Sequence, residues 1–286
     1  MGVTATPMRE FAVDTVFGRL SGLRREVPGG PRVIALHGWL DNAASFVRLA
    51  PHLPNLDIAA LDMPGHGASA HLPPAADYLS VAFARAVLAT ADELGWERFS
   101  LLAHSLGAAV ASVVAAAAPQ RVERLVAIEA LGALSEVENR TGQRLRDAFA
   151  AQASPRRGLR VFDDIATAVR ARMQVNGLSE PVARLLVERG IAPTEGGFVW
   201  RSDPRLTQPT AVRISEAQVR DLVRHIECPT RVIYADPPQS YFPDDVRRAR
   251  AALLPRGEMV VMRGTHHLHM EDPVAVAGAI GDFFAR

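Results

Sequence analysis

A serine framed by small residues is the first place in this chain where chemistry can be read. In Leu101-Leu102-Ala103-His104-Ser105-Leu106-Gly107-Ala108-Ala109, an apolar run meets an alanine-rich one with Ser105 at the joint. Ala103 and Gly107 stand two residues before and two after it. This small-x-Ser-x-small spacing is the pattern of a nucleophile elbow, with alanine replacing the usual first glycine. A turn so tight holds the serine in a strained backbone conformation and exposes its hydroxyl. The helix N-terminus behind it offers free N–H groups to a developing anion. An ordinary strand–turn–helix with a surface serine would read the same way, so the other residues must decide.

A serine hydroxyl is a weak nucleophile and needs a base, which in turn needs an acid to fix its tautomer. Histidines are offered by His37-Gly38-Trp39, by His66 in a glycine-flanked turn, by His104 and by the run His266, His267 and His269. The alternation of neighbouring residues directs the His104 side chain away from Ser105. His66 reads as a loop hydrogen-bonder. Two carboxylates, Glu129 and Asp236, end apolar runs. An ionisable group in such a place is costly without a partner. Cys228, the single cysteine, precedes Pro229 at a strand entrance and has no assigned role. No His/Cys/Asp group has zinc spacing, and the three close histidines lack other ligands, so no metal is expected. No glycine-rich dinucleotide or phosphate loop occurs, so no cofactor is expected either.

Positioning these residues requires strands that alternate with helices. Phe11, Val13, Thr15 and Phe17 alternate and open a hairpin over residues 9–27. Val33-Ile34-Ala35-Leu36, Ile58-Ala59-Ala60-Leu61, Phe99 to Ala103 and Arg124 to Ile128 are short buried strands. Helices are predicted over Ser45–Leu53, Ser80–Leu94 and Leu106–Ala118. After a break, Ser215–His225, Pro243–Leu253 and Pro273–Phe284 read as helices, with strands at Arg231–Ala235 and Glu258–Met262. The pattern predicts an α/β fold with a largely parallel sheet. Residues 131–212 break the rhythm. They are arginine-rich and helical in pattern, with turns at Ser154-Pro155, Asn176-Gly177 and Glu195-Gly196-Gly197. This segment is expected to be a strand-free helical cap between two halves of a core, 1–130 and 213–286. Phe149, Phe162, Met173 and Trp200 are its candidate apolar lining.

With 32 Lys and Arg against 31 Asp and Glu in 286 residues, and no basic run, nucleic acid is not an expected partner. The longest apolar run, Ala108–Ala118, is too short for a bilayer, so no membrane association is expected. No charged segment followed by an apolar one marks a secretory signal, and a lone cysteine fits a reducing cytoplasm. Met1-Gly2-Val3-Thr4-Ala5-Thr6 matches a myristoylation pattern, read here as chance.

The order of four motifs resembles the α/β-hydrolase family. They are His37-Gly38-Trp39, Asp62-Met63-Pro64-Gly65-His66-Gly67-Ala68-Ser69, Ala103-His104-Ser105-Leu106-Gly107 and the stretch from Gly264 to Pro273. The resemblance covers nearly everything except the cap. His37 to Asn42 and the histidine-rich ending look most like the serine hydrolase-like branch, and the broader layout is similar to the haloalkane dehalogenase and epoxide hydrolase group. The resemblance implies an eight-stranded, mostly parallel sheet flanked by helices, with Ser105 as nucleophile. It puts the base seven residues before the proline that opens the last helix, at 273 − 7 = 266, so His266 is chosen over His267 and His269. The family's commonest acid position falls on Pro238, with Asp236 two residues early. Some dehalogenase-group members instead carry the acid after the strand that follows the elbow helix. Glu129 stands there, 129 − 105 = 24 residues past the serine, and is preferred, with Asp236 as the alternative. The backbone N–H groups of Leu106 and Trp39 are the expected oxyanion donors. His37, Gly38 and His104 are expected to meet the substrate. Close relatives in layout use aspartate as nucleophile; serine implies an acyl-enzyme instead. The expected activity is hydrolysis of a carboxylic ester or related small-molecule acyl substrate. A carbon–carbon bond hydrolase with the same triad, or a non-catalytic binding protein on the same fold, is the alternative.

Overall fold

The structure, a computed structural model, describes residues 7–153 and 160–285. The Met1–Thr6 pattern and the Ser154-Pro155 turn lie outside them. The alternating N-terminal run folds as a hairpin of β1 (Arg9–Thr15) and β2 (Gly18–Arg25). The continuous apolar runs become β3 (Arg32–Leu36), β4 (Asp57–Leu61), β5 (Phe99–His104) and β6 (Val122–Ile128). Their residues are apolar on both sides because helices cover both faces of the sheet. Between them lie α1 (Ser80–Glu93), which buries Phe83, Ala84, Val87 and Ala91, and α2 (Leu106–Ala117). The Ser45–Leu53 stretch forms two 3₁₀ turns rather than one helix, at Ala43–Phe46 and Ala50–His52. Pro51 supplies no N–H to a continuous helical ladder.

The segment after β6 carries α3 (Thr141–Ala153), α4 (Ile165–Asn176) and α5 (Glu180–Gly190). It is not strand-free. β7 (Ile191–Thr194) and β8 (Gly197–Trp200) form an antiparallel hairpin of their own, and Phe198 bridges to Phe162. Each strand has four residues, and β7 contains Pro193, so neither gives the longer apolar or alternating run that marks a strand in sequence. Phe162, Val169, Val182, Leu186 and Ile191 form a separate apolar cluster, with Met173 and Trp200 packed on it. Phe149, by contrast, is exposed.

The core then resumes with α6 (Glu216–Arg224), β9 (Thr230–Asp236), α7 (Asp244–Ala251), β10 (Gly257–Arg263), α8 (Leu268–Glu271) and α9 (Pro273–Ile280). The eight-stranded sheet runs β1-β2-β4-β3-β5-β6-β9-β10, and every pairing from β4 to β10 is parallel. Strand β5 is therefore central, and the elbow at its C-terminal end lies where the chain order reverses direction across the sheet. Apolar clusters fill both faces, one around Leu36, Phe99 and Val110, the other around Phe46, Leu102 and Ile280. Among the described residues, no helix is long and apolar enough to cross a membrane.

Candidate active site

Ser105 sits between β5 and α2 with φ 52° and ψ −116°, a conformation L-residues rarely adopt. Strain of this kind persists only where the surroundings enforce it. Here the Ser105 N–H donates to the Ile128 carbonyl at 2.9 Å, fastening the turn to the tip of β6. On the other side, a Cβ at position 107 would stand 2.1 Å from the Leu36 carbonyl oxygen. Only glycine lets α2 start so close to β3, which gives the small-residue rule of the elbow its steric cause.

The hydroxyl raised by this turn meets His266. Ser105 Oγ lies 2.9 Å from His266 Nε2, and His266 Nδ1 lies 3.0 Å from Glu129 Oε2. With a carboxylate accepting at Nδ1, that nitrogen carries the proton and Nε2 presents its lone pair to the serine. Ser105 is partly exposed, the His266 side chain is 21% exposed, and Glu129 is buried. The three residues come from the ends of β5 and β6 and from the loop after β10, so the sheet aligns them without help from the segment between β6 and α6.

Glu129 has its own support. It takes φ 62° directly after β6, and its N–H donates to the Ile233 carbonyl at 2.9 Å. Its Oε1 accepts the Ala235 N–H at 2.6 Å. Arg247, buried on α7, brings a guanidinium nitrogen to 3.6 Å from the same oxygen and donates to the Ala235 carbonyl at 2.7 Å. Asp236, the alternative acid, is exposed at the end of β9 and is not brought to His266. Arg247 escaped the sequence reading because an arginine in Asp244-Asp245-Val246-Arg247-Arg248 looks like a solvated helix face. No local signal marks it as buried.

The proposed oxyanion donors are placed as follows. Leu106 is the first residue of α2, where helix N–H groups have no intrahelical acceptor. Trp39 follows the His37-Gly38 turn after β3. Its indole is half-exposed and donates to the Leu206 carbonyl at 3.0 Å, so its side chain ties the loop to the segment before α6.

His37, Gly38 and His104 do not reach a surface that a substrate could touch. All three are buried. His37 Nε2 accepts the Met63 N–H at 3.1 Å, and its Nδ1 donates to the Gly38 carbonyl at 2.7 Å. Burial pushes its pKa down to about 4. His104 Nε2 donates to the His266 carbonyl at 2.7 Å. Burial, followed by the neighbouring His269, His266 and His267, holds its pKa well below the usual imidazole range. The alternation along β5 turns His104 under the base loop, as the sequence reading of its direction expects; the burial of that underside was not legible.

Beneath His266 lies a polar cluster. His267 Nε2 stands 3.3 Å from Asp41 Oδ2, and His269 Nε2 stands 2.7 Å from Ser45 Oγ. Asp41 also pairs with Arg172 of α4. Burial alone would raise the Asp41 pKa, but the His267 hydrogen bond and the Arg172 charge outweigh it and hold the carboxyl well below its ordinary range. His267 and His269 thus anchor the loop that carries His266. Tyr241, whose ring centre lies 6.4 Å from that of His266, is half-exposed beside it. It lies in a loop whose sequence announces nothing.

Comparison with known proteins addresses the fold and the family. A family profile described as alpha/beta hydrolase fold matches residues 31–273. A serine hydrolase-like protein of Danio rerio is 30% identical over 299 residues, covering 98% of this chain and 90% of that protein. One of Dictyostelium discoideum is 31% identical over 267 residues, covering 88% and 74% respectively. The crystal structure of a hypothetical protein from Pseudomonas aeruginosa PAO1 superposes with a TM-score of 0.92 at 42% identity, covering 97% of this chain and 99% of that one. With the elbow, the parallel sheet and these matches together, the chain belongs to the α/β-hydrolase family, in its serine hydrolase-like branch, and is a hydrolase.

Proposed function

We propose that this hydrolase cleaves carboxylic esters, or closely related acyl compounds, through an acyl-enzyme on Ser105. The observation that carries the reading is the unbroken hydrogen-bonded line Ser105 Oγ–His266 Nε2 and His266 Nδ1–Glu129 Oε2, at 2.9 and 3.0 Å. Ser105 Oγ bonds to the carbonyl carbon while its proton passes to His266 Nε2. Negative charge grows on the carbonyl oxygen, facing the N–H groups of Leu106 and Trp39. The tetrahedral species collapses, the carbon–oxygen bond to the alcohol breaks, and His266 returns the proton to the leaving oxygen. Water then repeats the cycle on the acyl group, giving its proton to His266 and freeing the acid. The Glu129 carboxylate holds the His266 tautomer and stabilises the imidazolium. Residues 131–212 act as a lid that shapes the acyl pocket. The lone cysteine supports a cytoplasmic setting.

A fluorophosphonate probe tests this directly. It should label the chain at Ser105, and Ser105→Ala should lose both labelling and turnover of a p-nitrophenyl ester series. Labelling that persists in Ser105→Ala would overturn the assignment. Labelled protein that ignores every ester yet cleaves a 1,3-diketone would replace ester hydrolysis with carbon–carbon hydrolysis.

A further inference from the structure

The polar cluster beneath the base holds more than anchoring hydrogen bonds. His104 Nε2 donates to the His266 carbonyl at 2.7 Å, which fixes the tautomer and leaves a lone pair on Nδ1. That Nδ1 is fully buried and, among the described residues, without a hydrogen-bond partner. It faces Asp41 Oδ2 at 3.8 Å, an acceptor facing an acceptor. Two electron-rich atoms buried face to face cost free energy unless something positive lies between them. The third side of the same space is His267 Nε2, 3.3 Å from Asp41 Oδ2, and the three atoms lie within 4.8 Å of one another. Ligands about 2.1 Å from a tetrahedral zinc ion stand about 3.4 Å apart, near the His267–Asp41 and His104–Asp41 spacings, and an ion would draw the His104 and His267 nitrogens together from within 4.8 Å. Gly38 keeps the space open, since a Cβ there would lie 2.9 Å from both Asp41 Oδ2 and His104 Nδ1.

We propose that His104 Nδ1, His267 Nε2 and Asp41 Oδ2 form a binding site for a transition-metal dication of the zinc type, with water as the fourth ligand. Two imidazoles and one carboxylate oxygen suit zinc, copper or nickel and exclude calcium and magnesium, which demand a shell of oxygens. Arg172 occupies the other carboxylate oxygen, Oδ1, and orients Oδ2 toward the imidazoles. The guanidinium also neutralises part of the carboxylate charge, so the affinity is modest. The ligands come from three separate segments: the loop after β3, the last residue of β5 and the base loop. A bound ion therefore ties the loop that carries His266 to the strand that carries Ser105. The sequence reading missed the site because a spacing test sees only ligands close in the chain, and Asp41 is 226 residues from His267 (267 − 41).

The test does not depend on turnover. Equilibrium dialysis of the intact chain against Zn²⁺ should give one ion per chain, and the thermal midpoint should rise with Zn²⁺ but not with Mg²⁺. Ser105→Ala should bind the ion unchanged, whereas His267→Gln should weaken binding at least about tenfold. Since His267→Gln may disturb the loop, X-ray absorption on the zinc-loaded intact chain supplies a second measure: two imidazole nitrogens are expected in the first coordination sphere. No saturable binding, binding that is lost in Ser105→Ala but kept in His267→Gln, or fewer than two imidazoles would each overturn the site.

Discussion

Glu129 is held by two contacts that Asp236 lacks: His266 Nδ1 at one oxygen and the Ala235 N–H at the other. Glu129→Gln removes the charge that stabilises the imidazolium, and its amide N–H₂ can face the ring and select the wrong tautomer. Turnover should fall on the order of 10⁴-fold with the fold retained. Asp236→Asn, at an exposed strand end, should lose little. Measuring both with one activated ester, with circular dichroism as the folding check, decides between them; a crippled Asp236→Asn beside an active Glu129→Gln would reverse the assignment. At this scale the sequence was generous with the hydrogen-bonded line of Ser105, His266 and Glu129 and poor with its surroundings. Ser105 is marked by steric rules that act within five residues, and His266 by its distance from Pro273. The supports Arg247 and Asp41, and the neighbouring Tyr241, come from remote segments and carry no local constraint.

At the scale of elements, the segment between β6 and α6 is bolted to the core by buried ion pairs rather than by apolar surface alone. Arg189, at the end of α5, reaches Asp62 with Nε and Nη2 at 3.0 and 2.7 Å. The Asp62 side chain is fully buried and also accepts the Ala43 and Ala68 N–H groups, at 2.7 and 2.9 Å. Removing one partner of a buried pair leaves an uncompensated charge, which costs far more than the pair contributed. Arg189→Met should therefore lower stability by about 3 kcal/mol, read as a lower urea midpoint with an unchanged slope; an unmoved midpoint would refute the argument. The core strands were legible because burial on both faces forces continuous apolar runs such as Val33–Leu36. The β7–β8 hairpin was not, because its four-residue strands are only half-buried and one contains proline. Helix ends predicted from the sequence ran past the observed ones, as at Phe284 against Ile280, where Gly281 takes φ 52° and ends α9.

For the molecule as a whole, the buried histidines set a pH dependence of stability. His37, His66, His104 and His269 are all fully buried. Burial is the main cause that lowers each, to about 4 for His37, about 3 for His66 and His269, and well below the usual value for His104. In the unfolded chain each takes up a proton near pH 6.5, while the folded chain refuses it until about pH 4 at His37 and about pH 3 at His66 and His269, with His104 shifted in the same direction. Unfolding therefore binds protons between these limits, so stability rises with pH across that window and is lost as the pH falls. Above about pH 7 neither state binds these protons and the dependence vanishes. Each histidine contributes up to about 1.4 kcal/mol per pH unit, and the depressed Asp41 carboxyl adds to the loss at the acid end. The formal net charge is only +1 at pH 7, so general charge repulsion does not account for such a slope near neutrality. Urea midpoints measured at pH 7.5, 6 and 5 should fall steadily, and His66→Leu should flatten the dependence by about one proton's worth. A midpoint that stays level from pH 7.5 to pH 5 would mean that these imidazoles are already charged in the folded state, balanced by carboxylates such as Asp41 and Asp62.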